Sequence, residues 1–199
     1  MDMTELRWRF ELGVTAPLRQ PPWVPQKLRP AAVLMAFQAG PRGLEVLLTQ
    51  RPAHLKAHPG QVSFPGGKQE PQDDTLLDTA LREAQEEIGL PPDHVQLLGT
   101  LPEHHTITGF NITPVVGIVQ QPFRPCLNPG EVSELFSLPL AFLLQPDCRH
   151  VITLQRHQRR HPLTFIPYEG RLIWGATAAI IDTFCDVIGA HDYRMTNRR

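Results

Sequence analysis

The chain has 199 residues, 41% hydrophobic and 20% charged, with 19 Lys+Arg against 20 Asp+Glu and a formal net charge of −1. This composition fits one globular domain with a single core. It excludes a global electrostatic pull towards nucleic acid or an anionic membrane, and no apolar run reaches the roughly 18 residues of a membrane span.

In chain order, residues 1–30 read as a short helix or arm followed by an extended linker, with "QPPWVPQ" at 20–26. "AAVLMAFQ" (31–38) and "LEVLLTQR" (44–51) are apolar runs joined by a Gly/Pro turn, which predicts a hairpin. Pro52 to Gly60 reads as loop, and "QVSFPGG" as a short extended piece ending in a turn. From Asp74 to Ile88 the period becomes helical. Leu77, Ala80, Leu81, Ala84 and Ile88 recur at steps of three and four. Thr75 with Asp78 has capping-box spacing, and Gly89 before Pro91-Pro92 is a helix stop. Strand-like pieces follow at 95–101, 112–120, 151–156 and 163–168, with a strand and short helix within 131–144. Residues 174–189 read as an amphipathic helix with Ile180, Phe184 and Val187 inward. Strands interleaved with two main helices predict an α/β sandwich with a mixed sheet.

Cys126, Cys148 and Cys185 are odd in number and far apart, which suits neither a disulfide framework nor a zinc site. The N-terminus lacks the apolar stretch of a signal peptide. A reducing cytoplasm is the compartment these features predict.

The acidic helix carries the chemistry. Glu83, Glu86 and Glu87 fall on the side away from the Leu77–Leu81–Ala84–Ile88 stripe, and like charges at this spacing destabilise a helix by about 0.2–0.5 kcal/mol per pair. A solvated acidic face is the plain reading. Against it, Arg82 is the one basic residue on that stretch, and a Gly-Gly pair with further acids lies just upstream. Converging hard oxygen ligands suit Mg²⁺ or Mn²⁺, and magnesium binds through a few carboxylates together with substrate phosphates.

The order Gly67, five residues, Asp73, then Arg82, Glu83, Ala84, Glu86, Glu87, Gly89 and Leu90 resembles the Nudix box. Asp73 stands where that pattern has Glu, and eight residues, not seven, separate it from Arg82; the first acid stays open between Asp73 and Asp74. Upstream, Leu47, Leu48, Thr49, Arg51, Gly60, Phe64, Pro65, Gly66 and Gly67 resemble the signature of coenzyme A pyrophosphatases of the same superfamily. Pro52 replaces that signature's Ser or Ala, and Lys56 its second Arg. "ITPVVG", "EVSELFSLPL" and "WGATAAII" extend the likeness over about 31–190.

The resemblance implies a Nudix-type α/β/α sandwich over 31–190, flanked by an N-terminal arm and a basic tail at 191–199. It implies Glu83 and Glu87 as metal ligands with Glu86 close by, and a metal-directed carbonyl from Gly67. Glu86 is a candidate base; Glu103 and Glu131, outside the box, are weaker ones that read more simply as surface acids. Arg82 is expected to orient a glutamate. Arg51, Lys56, Gly60 and Phe64 fall on the substrate side, with Lys68 a further candidate for phosphate, although Phe64 also reads as core. The expected reaction is metal-dependent hydrolysis of coenzyme A and its thioesters to 3′,5′-ADP and 4′-phosphopantetheine. The alternatives are another nucleoside diphosphate derivative (NADH, ADP-ribose or a damaged triphosphate) or a non-catalytic nucleotide sensor. The partner is then a small nucleotide, with no nucleic acid and no membrane. His157 and His161 stand among arginines that would repel a metal, so "RHQRRHP" reads as a loop or a subunit contact of a homodimer. His104-His105 read as loop residues near the site.

Overall fold

The computed structural model describes residues 1–13, 27–55, 58–156 and 159–189. The "QPPWVPQ" linker, Lys56, His157 and the 191–199 tail lie outside the described residues, as does the side chain of His161.

Strand β1 (Arg29–Gly40) is the centre of the molecule. Its apolar run is continuous because both faces are covered. Ala32, Leu34 and Ala36 face one layer; Met35 and Phe37 face the other. β1 turns back into β2 (Gly43–Gln50) through two residues, with Gly40 opposite Gly43. Further along, the two strands diverge, and β3 (Val62–Ser63) and β4 (Gly66–Lys68) fill the gap, pairing with β2 and β1 respectively. On its other side β1 runs parallel to β7 (Phe110–Val119), the one parallel pairing of the main sheet among the described residues. β7 also carries β5 (Val95–Thr100) and β6 (His104–His105), and β2 carries β8 (Glu134–Pro139).

Helix α2 (Leu76–Ile88) covers one face of this mixed sheet. The other face receives α1 (Met3–Leu12), α3 (Leu140–Leu143) and α4 (Ala176–Val187). A three-stranded sheet of β9 (His150–Arg156), β10 (Arg159–Tyr168) and β11 (Arg171–Trp174) joins this second layer. The predicted α/β sandwich with a mixed sheet is the fold that forms. No described helix is long and apolar enough to cross a membrane.

Three local expectations change. The C-terminal helix starts after Trp174, which ends β11; Gly175, at φ +66, makes the corner between strand and helix. His104 and His105 form strand β6 and are not loop. Phe64 is 2% exposed within the core cluster, so its ring offers no face to a ligand.

Candidate active site

The helix that bears the acids is fixed at both ends. Thr75 accepts from the Asp78 N–H while the Asp78 carboxylate accepts from the Thr75 N–H, so two orphan donors are satisfied reciprocally. At the far end Gly89 adopts φ +71, and its N–H reaches the Ala84 and Gln85 carbonyls. Ala80, Ala84 and Ile88 are fully buried against the sheet, which sets the rotation of the helix. That rotation separates the three glutamates. Glu87 is 4% exposed and the Glu83 side chain 13%, whereas the Glu86 side chain is 55% exposed.

Glu83 and Glu87 are drawn in against β4. The Glu83 carboxylate occupies the space a side chain on Gly67 would need, so the close approach of helix and strand depends on that glycine. Glu87 accepts a backbone hydrogen bond from Gly66, while its Oε2 is buried without a partner. A third carboxylate comes from outside the helix. The loop after β7 is stitched to the end of α2: the Cys126 and Asn128 N–H groups donate to the Ile88 and Glu87 carbonyls. Asn128 then folds a turn, accepting from the Gly130 N–H on its side chain and from the Val132 N–H on its carbonyl. Glu131 rides on this turn, and its carboxylate oxygen lies within 4.8 Å of those of Glu83 and Glu87.

Three carboxylates this close do not all ionise without compensation. Burial, then Glu83 and Glu131, push the Glu87 carboxyl up to about 8. Burial likewise raises Glu83, against the opposing pull of Arg82. An orphaned buried oxygen, two neighbouring acids and the exclusive use of hard oxygen donors fit a divalent cation such as Mg²⁺ or Mn²⁺.

Arg82 does not face this cluster as a free cation. Its Nε and Nη2 donate to the two oxygens of Asp73 at 2.8 and 3.0 Å. Further donors reach Glu86 Oε2 at 3.0 Å, Glu83 Oε1 at 3.1 Å and the Lys68 carbonyl at 3.1 Å. Arg82 thus holds two glutamates, as expected, and also forks onto Asp73; of the two candidate first acids, Asp73 is the one it engages. Asp73 is buried and also accepts from Thr79, whereas Asp74 is exposed. The Arg82 guanidinium holds the Asp73 carboxyl down to about 2.

Of the residues expected on the substrate side, Arg51 directly follows β2. Its backbone N–H donates to the Gln61 carbonyl, and its buried Nε lacks a partner. Its charge is felt by Glu87. Gly60 takes a left-handed turn at φ +67 in open space, and its carbonyl accepts from Gln50. Lys68 is exposed, and Glu103, also exposed, accepts from Asn111. Of the acids outside the box, the structure thus brings Glu131 to the cluster and pairs Glu103 elsewhere. The sequence signal for Glu131 was slight: an Asn-Pro-Gly turn, forty-odd residues from the helix it meets.

A profile of the NUDIX domain matches residues 27–152. The uncharacterized Nudix hydrolase NudL of Pectobacterium atrosepticum is 42% identical over 173 residues, 87% of this chain and 88% of that protein. The NudL of Klebsiella pneumoniae is 42% identical over 163 residues, 81% and 84% of the two chains. Among solved structures, the MutT protein from Methanosarcina mazei Go1 superposes with a TM-score of 0.50 at 18% identity, over 88% of this chain and 99% of that one, a likeness of fold.

Proposed function

The chain belongs to the Nudix hydrolase family, and from that premise we propose that it hydrolyses the diphosphate bond of coenzyme A and its thioesters, giving 3′,5′-ADP and (acyl-)4′-phosphopantetheine. Hydrolases of this family generally use divalent metal ions and act on nucleotide derivatives. The observation that carries the reading here is the Glu87 carboxylate, clustered with those of Glu83 and Glu131 and holding a buried oxygen without a partner. The Leu47–Gly67 signature supports the coenzyme A assignment.

Glu83, Glu87 and Glu131, with the Gly67 carbonyl, are the groups assigned to hold Mg²⁺ or Mn²⁺. A divalent ion there supplies positive charge against the diphosphate oxygens and acidifies water. The remaining work belongs to the chain itself. Arg82 ties the 68–73 loop to α2 and keeps Glu83 turned towards Gly67. Glu86, at the solvent edge and oriented by Arg82, is assigned to accept the proton of the attacking water. Arg51 is assigned to a substrate phosphate, which would satisfy its orphaned donor. Lys56 and Gly60 complete that side of the assignment. Residues 31–190 are assigned as the catalytic unit in the cytoplasm.

The test is turnover of coenzyme A, dephospho-coenzyme A, NADH, ADP-ribose and nucleoside triphosphates with saturating Mg²⁺ or Mn²⁺. Coenzyme A should lead. A lead for NADH would remove the substrate assignment and leave the metal site standing. No hydrolysis of any nucleotide would favour a sensor.

A further inference from the structure

Two of the three cysteines meet far from the carboxylates. Cys148 ends the short turn Pro146–Cys148 after α3, and Cys185 lies on the inner face of α4. Both sulfurs point at one atom, the Leu143 carbonyl oxygen, at 3.5 Å from Cys148 and 3.9 Å from Cys185. The sulfurs therefore stand no farther apart than those two distances end to end. A buried cation adjoins them. The Arg149 side chain is 5% exposed, its charge is felt by both thiols, and its Nε and Nη1 have no hydrogen-bond partner. Asp182, 3.6 Å from Nε, gives a loose ion pair and also accepts from Thr164. A buried guanidinium with unused donors favours an anionic sulfur beside it.

We propose that Cys148 and Cys185 form an oxidation site, a dithiol that hydrogen peroxide converts into an intramolecular disulfide. Cys148 reacts first. It stands at 6% exposure in a three-residue turn, which opens at less cost than the helix that buries Cys185 completely. Burial pushes the Cys185 thiol up to about 12, consistent with the second role. The Cys148 thiolate attacks a peroxide oxygen; an S–O bond forms, the O–O bond breaks, and the leaving oxygen departs as water after protonation. The Cys185 sulfur then attacks the Cys148 sulfur. The S–S bond forms, the S–O bond breaks, and the oxygen leaves as a second water carrying the Cys185 proton. Two thiols lose two electrons, and one peroxide becomes two waters. The bond would bolt the turn after α3 to α4, whose first turn is anchored to β3 by the Thr177 hydroxyl on the Val62 carbonyl.

The third cysteine serves as the control, because Cys126 is exposed. The full chain carrying Cys126→Ser is treated with hydrogen peroxide, denatured, and alkylated with a maleimide. Both remaining thiols should disappear together, the mass should fall by about 2 Da, and a non-reducing digest should yield the 148–185 linked peptide. Dithiothreitol should restore both thiols. In Cys126→Ser/Cys185→Ser, Cys148 should instead be captured by dimedone as a sulfenic acid. The proposal is overturned if both buried thiols stay alkylatable at a peroxide dose that consumes Cys126 in the wild-type chain. It is equally overturned if Cys148 passes to sulfinic acid while Cys185 stays free. Wild-type protein with Cys126 alkylated beforehand gives the same readout should the serine variant fold poorly.

Discussion

Glu87 shows how one side chain can be costly to the fold and still be kept. Its carboxyl sits near 8 in the metal-free protein, above the roughly 4.3 of an unfolded chain. Raised in the folded state, it contributes stability that is complete below about pH 4.3 and lost as pH rises through about 8. Metal-free melting temperature should therefore fall across that window, and Glu87→Gln should flatten the fall. Mg²⁺ needs the carboxylate, so its affinity in the wild-type protein should rise with pH and its binding should release a proton, measurable by calorimetry in two buffers. The same variant should lose turnover by orders of magnitude and most of the Mg²⁺-induced rise in melting temperature. A variant that kept both would return the acids to an unused surface. Gly67→Ala tests the neighbouring close approach. The new methyl must displace the Glu83 carboxylate, and turnover should drop roughly 10–100-fold, with far-UV circular dichroism unchanged.

At the scale of elements, the site depends on α2 being locked to the 68–73 loop. The fork of Arg82 on Asp73 does this, and a lysine cannot reproduce two parallel donors. Removing the guanidinium strands a buried carboxylate, so Arg82→Ala should cost about 3 kcal/mol. The low end of the range for buried pairs applies because the Arg82 side chain is 17% exposed. Urea denaturation at pH 7 measures the loss. The acid side gives an independent check. Asp73 is depressed to about 2, so its contribution is present above the unfolded value of about 3.9 and lost as pH falls through about 2. Asp73→Asn should remove that part of the acid transition. Much of this element was legible in the sequence: the 3-4 spacing, the Thr75–Asp78 box and the Gly89 stop all formed where local rules put them. The exposure of Glu86 beside the burial of Glu87 was not legible, because one step of helix rotation separates them and packing against the sheet sets that rotation.

For the whole molecule, two layers close over a sheet whose central strand is apolar on both faces. The N-terminal helix takes part: Leu6 is fully buried in the cluster that also holds Phe37 and Phe184. Leu6→Ala should therefore cost about 2–5 kcal/mol by denaturant midpoint. A near-neutral result would mark α1 as a loosely attached arm. Hydrophobic periodicity, glycine and proline punctuation and the box spacing determined the α/β class, the acidic helix and the family, because each is written in residues a few positions apart. Tertiary structure alone decided two things. It carried Glu131 from the far side of β7 to the carboxylates of α2, and it made Asp73 the anchor of Arg82. The reason is distance along the chain. Local rules reach one turn or one hairpin, whereas this carboxylate cluster is assembled where a helix meets a loop some forty residues further on, and only the register of the packed sheet sets that point.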